Sequence, residues 1–82
     1  MISARQIRAA RALIGMSQPE LAERAGVGVA TVRRIEAAID QVTGNARTLD
    51  LIQKALEKAG VHFIEQQDTI GEGVCFSDPR RS

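Results

Sequence analysis

The stretch "MSQPELAERAGVGVATVRRIEA", residues 16–37, decides the fold. It reads as a helix, a tight turn and a second helix. Ser17 followed three residues later by Glu20 has the form of a capping box, and Pro19 sits in the first turn, where a missing N–H does no harm. A helix over 18–25 follows, with Leu21, Ala22 and Ala25 as its apolar stripe. Gly26 stops it, because glycine takes the positive φ of a turn without steric cost. Gly28 then opens a helix over 29–38, as a weaker N-cap than Ser or Asn. Val32 and Ile35 point inward from it. Ala30, Arg33, Arg34 and Ala37 fall at i, i+3, i+4 and i+7, so two arginines share the outward face with alanines beside them. Ala22 is small where the helices would cross closely, and Val27 and Val32 fill the angle between them. Leu21 and Ile35 tie the pair to the rest of the core.

Further elements are legible on either side. Upstream, Ser3 with Gln6 forms a capping box for a helix over 4–14. Ile7, Ala10 and Ile14 lie on one face, and Gly15 suits the left-handed position that ends it. Downstream, "AIDQVTGNAR" is a connection of roughly ten residues with room for a short helical turn. A helix over 46–59 follows, with Leu49, Ile52, Leu56 and Ala59 as its stripe and Gly60 as its stop. Beyond Gly60 the apolar period changes from 3.6 to 2, and "VHFIEQ" and "GVCF" predict a β-hairpin over 61–76. Val61 and Phe63 point one way, His62 and Ile64 the other. One face is expected to pack on the helix over 46–59, and the other face or the strand edge can pair with a second subunit. The predicted class is mostly α: a bundle of four to five short helices with a C-terminal β-hairpin. Residues 1–60 form the helical domain, 61–76 the hairpin, and 77–82 a flexible tail.

Bulk properties bound the function. Eighty-two residues make one domain, and with 2% aromatic content its core must be built from Ala, Leu, Ile and Val. No apolar run approaches the roughly 20 residues of a membrane span. Arginines interrupt the apolar residues of the N-terminus, so no secretory leader is expected, and a single cysteine forms no internal disulfide. These features fit a reduced, cytoplasmic protein. The net charge of +1 hides an asymmetry: residues 1–47 carry +3, residues 48–79 carry −4, and Arg80 and Arg81 add +2. The front half is the candidate for an anionic partner.

Two short helices joined by a glycine turn are the geometry of the helix-turn-helix, whose second helix enters the DNA major groove. The stretch 16–37 resembles the Cro- and phage-repressor-like (XRE) family of transcriptional regulators, in the pattern SQ-x-x-LA-x-x-AGV, seven residues, then Ile-Glu, and this implies a repressor-like helix-turn-helix bundle. The resemblance covers roughly residues 3–59, and "ALEKAGVHFI" followed by "GEGV" resembles the ending of many small members. It implies DNA-binding roles by position. Gln18 would hydrogen-bond a backbone phosphate. Val29, Ala30 and Arg34 would face base edges, and Thr31 and Arg33 would touch bases or phosphates nearby. Asn45 and Arg47 would add phosphate contacts. One departure is Gly28, where the family usually has Ser or Thr. It removes a capping hydroxyl and, with it, one phosphate contact.

The chemistry of these residues agrees with that implication. An arginine fork matches O6 and N7 of guanine, and Val29 and Ala30 can contact a thymine methyl. The bland alternative for Arg33 and Arg34 is a solvated helix face, which the flanking motif disfavours. Arg5 and Arg8 are read as solvated surface. Arg11 and Glu36 each lie about 40° from a buried stripe on a helical wheel, Arg11 beside Ile7 and Glu36 beside Val32, so each wants a partner. Similar proteins pair an arginine with a glutamate at these two places, which implies a structural Arg11–Glu36 ion pair.

Other residues give bland readings. Cys75, between Val74 and Phe76, is read as a small packed hydrophobe. His62 stands alone, and no metal or cofactor is expected. Asp50, Lys54, Glu57 and Lys58 share a solvated face with i,i+4 pairing. An enzyme is disfavoured for lack of a nucleophile–base pair, a metal cluster or a phosphate loop. The expected partner is double-stranded DNA carrying a palindromic operator, read by a homodimer acting as a repressor, with a monomer as the rival. The alternative of a different class is an antitoxin or other interaction module that engages a partner protein through the hairpin.

Overall fold

A computed structural model describes residues 2–38, 45–65 and 71–76 as four helices followed by two strands. They are α1 (Ala4–Ile14), α2 (Gln18–Ala25), α3 (Val29–Glu36), α4 (Ala46–Lys58), β1 (Val61–Ile64) and β2 (Gly73–Phe76). Local chemistry sets most of the boundaries. The capping box of α1 is closed in both directions: Gln6 N–H donates to Ser3 Oγ at 3.2 Å, and Ser3 N–H donates to Gln6 Oε1 at 2.9 Å. At α2 only half of the expected box forms. Ser17 Oγ accepts the Glu20 N–H at 3.1 Å, but the Glu20 carboxylate turns along the helix to Arg24, also at 3.1 Å. Gly15 and Gly26 both adopt the left-handed conformation, with φ of 66° and 72°. The N–H of the residue after each glycine reaches back to the helix, Met16 to the Arg11 carbonyl and Val27 to the Ala22 carbonyl.

Two helices are shorter than their periodicity suggests. α3 ends at Glu36, not Ala38, and α4 ends at Lys58 with Ala59 as its C-cap. Ala59 still packs partly against the core from beyond the helix end, while Ala37 is exposed. The short helical turn considered for the 38–47 connection concerns residues 39–44, outside the described residues.

The core joins all four helices. Ile7 from α1, Leu21 from α2, Val32 and Ile35 from α3, and Ile52 and Leu56 from α4 are fully buried, with Leu49 and Val61 nearly so. Each such side chain contributes roughly 1.5–3 kcal/mol on removal from water. α2 packs on α3 across the Gly26–Gly28 turn and on α4, while α1 touches both α3 and α4.

The hairpin is antiparallel, pairing Val61 with Phe76, His62 with Cys75, Phe63 with Val74 and Ile64 with Gly73. Opposed residues share a face, so Val61, Phe63 and Val74 turn towards the helices. His62 and Cys75 turn outward together. Cys75 is exposed, which corrects its reading as a packed hydrophobe: register, not apolar neighbours in sequence, chooses the face. The hairpin also has two supports where one was expected. β1 packs on α4, and β2 lies along α1. Gln6, only 5% exposed, joins the hairpin to α1 by donating through Nε2 to the carbonyls of Ile64 (3.1 Å) and Gly73 (3.0 Å).

Candidate nucleic-acid interface

α3 is an eight-residue helix with one face in the core and one in solvent. Its buried side is Val32, Ile35 and Glu36; Ala30, Arg33, Arg34 and Ala37 are exposed. No acid lies in its first turn, and both arginines fall in the last turn, where cations complement the helix dipole. Among the described residues neither Arg33 nor Arg34 forms an ion pair. The outward face is thus cationic along its C-terminal half and small and apolar at its start. Val29 and Thr31 are half-buried at the edges of this face, and Val29 packs partly against the core. Gly28 caps the helix with extended backbone and no side-chain hydrogen bond.

Arg11 of α1 holds the orientation of α3. Its guanidinium grips the Glu36 carboxylate at two points, Nε to Oε2 and Nη2 to Oε1, both 2.6 Å. The remaining fork nitrogen donates to the Met16 carbonyl at 3.0 Å. The Glu36 side chain is 3% exposed and that of Arg11 19%. The hydrogen bond to Glu36 raises the Arg11 pKa above its ordinary value, with partial burial opposing and the carboxylate charge adding to the rise.

Arg8, one turn away on α1, donates to the backbone carbonyl of Glu36. It is exposed but not merely solvated: it binds a carbonyl at the C-terminal end of α3, a place that favours a cation. Sequence reasoning missed this role. The available signal was spacing, because residues 8 and 11 share a helix face. Arg5 is 73% exposed and lies 3.4 Å from Glu72.

The flanking positions divide. Gln18, the first residue of α2, is half-buried and donates through Nε2 to Glu36 Oε1 at 3.1 Å. Asn45 is the N-cap of α4, its Oδ1 accepting the Thr48 N–H at 2.8 Å. Arg47, in the first turn of α4, is exposed. The structure therefore brings Gln18, Arg11 and Glu36 into one hydrogen-bonded cluster beneath the outward face of α3. Asn45 and Arg47 stand at the start of α4.

Among the described residues there is no group of three or more His, Cys, Asp and Glu side chains able to hold a metal ion, and no helix is long and apolar enough to cross a membrane. No curated protein matches the chain significantly. A family model does match: the one described as helix-turn-helix, HTH_3, over residues 7–63. That span runs from the core-facing side of α1, through the Gly26–Gly28 turn and the arginine face of α3, into β1. The chain belongs to the Cro- and phage-repressor-like (XRE) family of helix-turn-helix DNA-binding regulators.

Proposed function

We propose that this protein is a sequence-specific transcriptional regulator, acting as a repressor, that reads the major groove with the outward face of α3. The observation that carries the reading is the α3 surface itself. Two arginines that form no ion pair among the described residues stand beside small apolar residues, on a short helix whose buried glutamate is clamped by Arg11. Rigid anchorage matters because base readout depends on side chains held in register with the duplex. In this reading Arg34 forms a bidentate contact with a guanine, Val29 and Ala30 meet thymine methyls, and Thr31 and Arg33 contact bases or phosphates nearby. Gln18, Asn45 and Arg47 bind phosphates on either side. No covalent step is involved and no cofactor is required.

One short recognition helix spans few base pairs. We therefore infer a homodimer that reads a palindrome with half-sites about one DNA turn apart. Selection of bound DNA from a random pool tests this, followed by salt-dependent binding of the wild type and Arg34→Ala. An inverted repeat should emerge, and Arg34→Ala should lose about 1–3 kcal/mol mainly at one base pair. Sequence-blind binding that only weakens with salt would refute the reading.

A second reading draws on a different surface. Leu13 (48% exposed) and Phe76 (42% exposed) line one shallow groove with Ile14, Met16 and Ala59, and the charged Glu20 and Arg24 also border it. Exposed apolar side chains gathered in this way suit a protein partner, as an antitoxin-like interaction module would require. Light scattering of the purified chain, with and without operator DNA, separates a self-associating regulator from a monomer that awaits another protein.

A further inference from the structure

Glu36 accepts more donors than its ion pair needs. Among the described residues, Arg11 supplies two of the three side-chain hydrogen bonds to its carboxylate, and Gln18 supplies the third. What this third bond does for Glu36 is small; what it does for Gln18 is larger. A carboxamide has a donor end and an acceptor end of nearly the same shape, and it can turn either one towards a partner. An ionised carboxylate only accepts. Glu36 therefore admits only the Nε2 end of Gln18, at 3.1 Å, and one of its two N–H groups is used. The other N–H is left with a set direction. Arg11, paired at both carboxylate oxygens, offsets the negative charge that would otherwise repel an anion approaching Gln18.

We propose that Glu36 is a positioning residue for Gln18: it locks the carboxamide so that its second N–H meets a DNA phosphate at the start of α2. The inference rests on the DNA-binding reading above. The same carboxylate anchors α3, so the backbone contact and the base-reading face share one joint. Phosphate binding by Gln18 and orientation of α3 are then coupled through a single side chain.

The test is a double-mutant cycle on operator affinity, using the wild type, Gln18→Ala, Glu36→Asp and the double variant. Glu36→Asp keeps the charge opposite Arg11 but draws the carboxylate back by one C–C bond, about 1.5 Å, beyond hydrogen-bond reach of Gln18. Gln18→Ala should weaken binding about tenfold for each half-site, the size of one hydrogen bond to a charged group. Glu36→Asp should cost at least about threefold more in the wild-type background than in the Gln18→Ala background, the loss common to both being its effect on the anchorage of α3. Equal losses in both backgrounds would mean that Glu36 acts only by holding α3, and would overturn the proposal. So would an unchanged affinity for Gln18→Ala. If the wild type selects no operator, the DNA-binding reading fails first, and this inference falls with it. Should Glu36→Asp not remain folded, side-chain amide relaxation of the wild type decides the matter. A locked Gln18 carboxamide supports the proposal, and an order parameter below about 0.6, as in flexible groups, overturns it.

Discussion

Replacing Arg11 by methionine should be among the most damaging single changes this chain can suffer. The substitution keeps much of the side-chain volume and removes the charge. It leaves Glu36, 3% exposed, with Gln18 as its one remaining side-chain donor among the described residues, and frees the Met16 carbonyl. Stranding one partner of a buried pair costs about 3–5 kcal/mol. Arg11 is itself 19% exposed, so some water can reach the site and the lower end, about 3 kcal/mol, is the expected value. A domain of this size has about 4–12 kcal/mol in all. The melting temperature should therefore fall by roughly 12–24 °C. Urea unfolding followed by helical circular dichroism measures the loss directly.

The decisive control is Arg11→Met combined with Glu36→Met. Two apolar residues of suitable length should restore stability to within about 1.5 kcal/mol of the wild type, because the buried charge is gone. The pH dependence has a definite sign. The folded-state pKa of Arg11 is raised, so its contribution is complete below the unfolded-state value and is lost only as pH climbs through the folded one. Both values lie above the working range. The difference between wild type and Arg11→Met should thus stay constant from about pH 7 to pH 10. A single-variant loss below about 1 kcal/mol, or a double variant no better than the single, would refute the reasoning.

Three further outcomes are expected. Gln6→Leu should destabilise the protein by about 2–3 kcal/mol, since the carbonyls of Ile64 and Gly73 lose their shared donor. Hydrogen exchange should quicken in the hairpin more than in α2 and α3, and a loss below about 0.5 kcal/mol would show that the tie is dispensable. Gly26→Ala should cost about 1–2 kcal/mol from the left-handed backbone alone, since a Cβ there meets no atom within 4 Å. Gly15→Ala should match it, and a much larger loss at either site in urea titrations contradicts the open space around both. Cys75→Ser should change stability by no more than about 0.5 kcal/mol, and the native thiol should react freely with an aromatic disulfide reagent. A protected thiol would contradict the outward register.

Much of the fold was legible because the deciding forces act within four residues. Ser3 and Ser17 cap the helices that follow them, and Gly15, Gly26 and Gly60 take the positive φ that ends or follows a helix. The stripe of α4 and the inward pair Val32 and Ile35 follow from helical period alone. The outward face of α3 was legible for the same reason. The misreadings share a different cause. Its neighbours in the chain make Cys75 look packed, yet its exposure depends on pairing with His62. Arg8 reads as one exposed cation on α1, yet its partner is the end of another helix.

The sequence by itself determined where helices start and stop, which turn is tight, and that two arginines share an outward face. Capping, glycine dihedrals and side-chain periodicity are local and survive without any tertiary context. The tertiary structure alone decided that the Gln6 amide would bridge Ile64 and Gly73, and that Gln18 would share Glu36 with Arg11. Those contacts join groups 18 to 67 residues apart. A polar side chain cut off from water must find whatever partner the packed helices and strands bring within about 3 Å, and only the assembled fold determines which group that is.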